Sequence, residues 1–212
     1  MNSKKKKYII AIFLLLCFVT LTIFVINNKI FKMDENVYNI VISFKNDKLT
    51  KVLKFFTTLG NEYFTILMLL ILFVIFMYKR KIYLYNYIFA NVTIGSAIMW
   101  ILKNIIKRPR PSWKWIKQSG FSYPSGHTVA AFLLYGTLIL IANKKIKGKI
   151  KYWCYLILSL IMVLIGVSRI YFGAHYLSDV TSSVVLSLII LIISSLYIKG
   201  DKNDKSKVRK KV

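Results

Sequence analysis

The stretch KKKKYIIAIFLLLCFVTLTIFVI, residues 4–26, sets four lysines directly before nineteen residues that carry no charge. A helix crossing a bilayer needs about 20 consecutive apolar residues, so this run is long enough to span one. Its basic start also fits a secretory signal. A signal core is shorter, however, and Asn27, Asn28, Lys29 and Ile30 offer no small-x-small cleavage site, so the run reads as an uncleaved anchor helix. Working outward, further apolar runs occupy residues 63–78, 83–102, 128–142, 152–171 and 180–198. The fold class expected is all-α, a six-transmembrane helical bundle. Residues 1–212 form a single membrane domain: a first transmembrane helix and outer interfacial loop at 7–60, a five-helix core at 61–198 and a basic cytoplasmic tail at 199–212.

Composition supports this reading and excludes others. The chain has 212 residues, 57% of them hydrophobic, with 32 Lys+Arg against 7 Asp+Glu and a net charge of +25. Disordered chains pair high charge with low hydrophobicity, and here the two are segregated along the sequence. Nucleic acid is excluded as a partner, because the cations form no basic face on a soluble module. Cys17 and Cys154 lie in or beside apolar runs and read as packing residues, not as a disulfide framework.

With six spans both termini lie on one side. Nineteen cations fall on that face: Lys4–Lys7, those at 79–81 and 144–151, and the tail. Thirteen fall on the other. The positive-inside rule then makes both termini cytoplasmic in a multi-pass protein of the plasma membrane, with loops 30–61, 103–123 and 169–179 outside. In the first outer loop Val37, Ile40, Val41 and Phe44, then Leu49, Val52, Leu53 and Phe56, repeat at helical spacing. They predict one or two amphipathic interfacial helices.

Hydropathy does not explain a second group of residues. The two histidines, His127 and His175, fall at the outer ends of spans. Asp179, the only acid between Glu62 and Asp201, stands four residues after His175 and on a helix shares its face, where a carboxylate can fix the imidazole tautomer. Pro124-Ser125-Gly126-His127 opens the fourth span, and a helix N-terminus with Ser and Gly admits an anion to free backbone N–H groups. An ordinary Ser cap with a Gly turn explains that tetrapeptide as well when it is taken alone. Lys103, Lys107, Arg108, Arg110, Lys114 and Arg169 crowd outer span ends against the positive-inside bias, and arginine offers a donor fork to phosphate oxygens. The tryptophans at 113 and 115 read as interface anchors.

Together these segments resemble the type 2 phosphatidic acid phosphatase superfamily, whose three signatures occur in order. Lys-x6-Arg-Pro reads Lys103-Asn-Ile-Ile-Lys-Arg-Pro-Arg110-Pro111. Pro-Ser-Gly-His is 124–127. Ser-Arg-x5-His-x3-Asp reads Ser168-Arg169-Ile-Tyr-Phe-Gly-Ala-His175-Tyr-Leu-Ser-Asp179. The resemblance implies a phosphatase with no cofactor and no metal ligands, acting through a phosphohistidine. His175 would be the nucleophile, Asp179 its orienting partner and His127 the general acid and base. Lys103, Arg110, Ser125, Gly126 and Arg169 would bind phosphate. Lys107, Arg108 and Lys114 match no fixed position; they are assigned to headgroup attraction, and a merely basic interfacial loop explains them at least as well.

The implied partners are the bilayer and a lipid phosphate or diphosphate substrate, most readily undecaprenyl diphosphate at the outer face. Phosphatidic acid and phosphatidylglycerol phosphate are the alternatives. An anion carrier and an inactive lipid-binding protein are rivals of other classes. Oligomeric state is left open.

Overall fold

The structure is a computed structural model and describes residues 2–198, so the basic tail expected at 199–212 lies outside it. The described residues form eight helices and no strand: α1 Ser3–Ile26, α2 Phe31–Ser43, α3 Asp47–Thr58, α4 Glu62–Tyr78, α5 Ile82–Ile106, α6 Gly126–Lys145, α7 Lys149–Tyr171 and α8 Leu177–Ser194. Five of them, α1 and α5 to α8, are long and apolar enough to cross a membrane. The sixth span is α4, whose 17 residues reach about 25 Å alone, and which forms a bent pair with α3 at 52°. Large apolar side chains such as Phe13, Leu16, Ile105 and Leu156 are exposed on the bundle's outside, as a lipid-facing wall requires.

Local sequence sets the breaks. Asn46 Oδ1 accepts the Leu49 N–H at 2.9 Å to start α3, and Asn61 Oδ1 accepts the Tyr63 N–H at 2.7 Å to start α4. α5 stops where Lys107 takes a left-handed conformation (φ 50°) and Pro109 follows, since proline supplies no N–H to continue the ladder.

The core gathers around α6, which packs against α4, α5, α7 and α8; Val129, Leu133 and Leu134 are fully buried there. Close helix approach depends on a missing side chain. A Cβ on Gly95 of α5 would stand 2.0 Å from Leu133 Cδ1. The first apolar run is built into this bundle: α1 packs along α8, Lys7 Nζ donates to Ser195 Oγ at 2.7 Å, and the Thr22 hydroxyl pairs with Tyr123 Oη at 2.7 Å.

Both amphipathic helices expected between the first two spans are present, but their buried stripe differs from the expected one. Val37, Val41, Leu49, Leu53 and Phe56 turn inward, whereas Ile40, Phe44 and Val52 are exposed. Polar residues cause the rotation. Asp34 is buried against α8, and the Thr50 hydroxyl bonds to Tyr171 Oη at 2.6 Å, so each helix rolls toward groups that a hydropathy pattern ignores. Trp113, expected as an interface anchor, is instead half-buried between Tyr38, stacked at 5.1 Å, and the rings of Phe31 and Tyr176. Trp115 donates its indole N–H to Tyr171 O at 3.0 Å. The loop between α5 and α6 is thereby fastened under α2 and α3.

Replacing Gly95 by Val should destabilise the bundle by about 1–3 kcal/mol, the usual cost of forcing atoms into a filled core. Thermal unfolding in detergent reads this as a lowered midpoint.

Candidate active site

Alternating helix direction assembles the site. The C-terminal ends of α5 and α7 and the N-terminal ends of α6 and α8 meet at one end of the bundle. They carry Lys103, Arg169, His127 and Asp179 respectively.

His175 sits in the turn between α7 and α8 and is 2% exposed. Its Nε2 lies 3.1 Å from Arg110 Nη1. A guanidinium can only donate, so Nε2 is the acceptor and carries the lone pair, which puts the ring proton on Nδ1. Nδ1 faces Asp179 Oδ2 at 3.4 Å, beyond and out of line with a formed hydrogen bond, and it has no other partner among the described residues. Burial pushes His175 down to about 3, against the opposing pull of Asp179, so the ring is neutral near pH 7.

Asp179 is fully buried at the third position of α8. Its Oδ2 accepts the Tyr176 N–H at 3.0 Å and the Ser122 hydroxyl, and its Oδ1 accepts Arg108 Nη1 at 2.6 Å. Arg108 therefore does not serve headgroup attraction, as the sequence reading had it. It is buried, stacked at 3.8 Å on the Tyr176 ring, and bridges Asp179 to Asp34 of α2, which lies 2.8 Å from Nη2. Two buried carboxylates raise the affinity of the guanidinium for its proton.

The other cations are held by neutral oxygens. Lys103 Nζ donates to Phe121 O at 2.7 Å and Pro124 O at 3.0 Å. Arg110 donates to Ser119 O at 2.9 Å, Gly120 O at 3.0 Å and Ala174 O at 2.8 Å. Arg169 is 2% exposed; Nη1 donates to Thr57 Oγ1 at 2.8 Å, Nη2 donates to Gln118 Oε1, and Nε has no partner among the described residues. The Ser125 N–H donates to Ser183 Oγ at 2.8 Å, so the α6 end meets the site through Gly126, where a Cβ would find only Met99, at 3.5 Å.

A cavity of about 470 Å³ joins several of these groups. Lys103, Arg110, His127, His175 and Gly126 line one part of it, and Ile66, Leu69, Val92 and Met99 line the gap between α4 and α5. Arg169 borders a second, more open cavity that shares His127 and Gln118 with the first. Asp179 and Ser125 stand behind these walls. Among the described residues no three His, Cys, Asp or Glu side chains cluster as a metal site.

Sequence reasoning missed Arg108, Asp34, Ser122 and Gln118. Asp34 carried a signal: it lies three and seven residues before Val37 and Val41, on the stripe that turned inward. Nothing in the sequence singles out Ser122 or Gln118.

The chain is similar to known proteins in sequence and fold. The model of the PAP2 superfamily matches residues 83–202. Phosphatidylglycerophosphatase B of Bacillus subtilis (strain 168) is 27% identical over 185 residues, covering 85% of this chain and 90% of that protein. Among solved structures, the chain resembles the first transmembrane PAP2 type phosphatidylglycerolphosphate phosphatase from Bacillus subtilis, with TM-score 0.80 and 26% identity over 88% of this chain and 94% of that one. Aquifex aeolicus LpxE shares the fold at TM-score 0.63 and 24% identity, over 76% of this chain and 94% of that one.

Removing Arg108 leaves two buried carboxylates facing each other. Arg108→Leu should cost about 3–5 kcal/mol, the range for breaking a buried ion pair from one side. Lys48→Ala, on the exposed face of α3, should stay within about 0.5 kcal/mol of the native chain in the same unfolding assay.

Proposed function

We propose a specific reaction for this chain, which belongs to the PAP2 superfamily and is a membrane lipid phosphatase that works without a metal ion. It hydrolyses the terminal phosphate of a lipid phosphate or diphosphate at the outer face of the plasma membrane, through a phosphohistidine at His175. The observation that carries the proposal is the orientation of His175: Nε2 bears the lone pair beside Arg110, and the opposite nitrogen faces Asp179.

The steps balance as follows. His175 Nε2 attacks phosphorus and the bond to the lipid-side oxygen breaks. His127, protonated, gives that oxygen its proton. The phosphohistidine ring is cationic, and Asp179 across Nδ1–H stabilises it. His127, now neutral, takes a proton from water, whose oxygen attacks phosphorus; inorganic phosphate leaves and His175 is restored. Lys103, Arg110, Arg169 and the α6 end at Gly126 hold the phosphoryl oxygens where charge spreads in the transition state, while Ser125, whose N–H is taken by Ser183, supports that end from behind. Before the attack, as substrate binds, Arg110 exchanges His175 Nε2 for a phosphoryl oxygen, which frees the nucleophile.

The cavity's lining supports a lipid substrate, since its cationic end continues into apolar walls between α4 and α5. The outward orientation rests on the division of cations between the two faces. Undecaprenyl diphosphate remains the first substrate of the proposal. A second reading, phosphatidylglycerol phosphate, is favoured by the similarity to the B. subtilis phosphatidylglycerophosphatase.

Purified protein in EDTA should release inorganic phosphate from one or both lipids, with kcat/KM ranking the two; no release from any lipid phosphate defeats the reading and leaves the anion carrier or the inactive binder. His175→Ala should abolish turnover. His127→Ala should slow it roughly 10²–10⁴-fold, the span of general acid–base catalysis, and should accumulate labelled phosphate on His175. A reporter fused after Ile198 should be cytoplasmic, and the opposite result would place the site on the inner leaflet.

A further inference from the structure

Asp34 belongs to none of the three signatures and lies outside residues 83–202, yet it is 1% exposed and both its oxygens are engaged. Oδ1 accepts the Ser178 N–H at 2.8 Å. Oδ2 accepts the Ser178 hydroxyl at 2.6 Å and Arg108 Nη2 at 2.8 Å. Arg108 Nη1 in turn reaches Asp179 Oδ1 at 2.6 Å. Three charges thus stand in a row, negative, positive and negative, ending beside His175 Nδ1.

The arithmetic of that row matters for the cationic ring. A guanidinium paired with Asp179 alone would leave the imidazole facing a neutral ion pair. A second carboxylate on the far side of the guanidinium offsets its field, and the row keeps one net negative charge in a low-dielectric setting, where such a charge acts strongly. It also fixes geometry, because both ends of the planar fork are held and Ser178, in the first turn of α8, is tied to α2.

We propose that Asp34 is a positioning residue for the reaction: by sharing Arg108 with Asp179 it leaves beside His175 the net negative charge that stabilises the phosphohistidine. The first outer helix then takes part in catalysis at a distance, through two intermediaries. This inference rests on the reading of His175 as nucleophile given above.

The test is Asp34→Asn in the full chain, which removes one charge at constant size. Turnover of the lipid phosphate used by the native enzyme should fall roughly 10-fold in kcat, the low end of the range for losing an outer partner of an oriented histidine, with KM within about twofold. The chain has only two histidines, so ¹⁵N-histidine labelling, with His127→Ala for assignment, reads the His175 ring directly. Its nitrogen resonances should move in Asp34→Asn. Unchanged kcat, or a lower kcat with unmoved His175 resonances, overturns the proposal; the latter is what a purely structural clamp gives. If Asp34→Asn does not fold, the double variant Asp34→Asn, Arg108→Gln restores the net negative charge. It should hold the His175 resonances near their native positions, and a displacement as large as in Arg108→Gln alone overturns the proposal. If the native chain releases phosphate from no lipid, the function proposed above fails, and the resonances alone decide the role of Asp34.

Discussion

A carboxylate buried in the wall of a membrane bundle must be neutralised where it stands, and Asp179 is such a group. Moving an unpaired carboxylate from water into an apolar interior costs many kcal/mol, far more than a domain's net stability. Arg108, the Ser122 hydroxyl and the Tyr176 N–H meet that demand together. Each answer places a constraint on the chain. Arg108 and Ser122 oblige the α5–α6 loop to fold back under α2 and α3. Asp179 takes only the Nη1 side of the buried guanidinium; Asp34 accepts from Nη2 and from the Ser178 N–H, which brings α2 down onto the first turn of α8.

Acids are scarce in this chain, and their placement divides the cations into two kinds. Arg108 faces carboxylates on both sides. Lys103, Arg110 and Arg169 face carbonyl, hydroxyl and amide oxygens, partners that orient a cation without cancelling it. Their positive potential is left for an anion, and low dielectric around the site strengthens it. One structural cation and three with neutral partners stand at the same end of one bundle, and the proposed phosphate site is built on that difference.

Much of this was legible in the sequence. The spans were visible because long uncharged runs have few readings, and Lys103, Arg110, His127, Arg169, His175 and Asp179 stood out through charge or spacing at span ends. What escaped notice depends on contacts between segments far apart in the chain. Arg108 looked like one more interfacial cation because its partner Asp34 lies 74 residues away. The stripe of α2 and α3 was misaligned because hydropathy scores Asp34 and Thr50 as outward-facing, whereas buried partners make them inward-facing. Ser122 and Gln118 carry no local mark at all; the fold alone gives them their positions.

The gap between α4 and α5 changes what substrate concentration means for this enzyme. Its apolar walls, Ile66 and Leu69 against Val92 and Met99, belong to two helices that cross the bilayer. A lipid arriving along them diffuses in two dimensions and never enters bulk water. The quantity that saturates the site is then the mole fraction of phosphorylated lipid in the leaflet. Diluting the membrane with inert lipid slows the reaction, and diluting the vesicles in buffer does not.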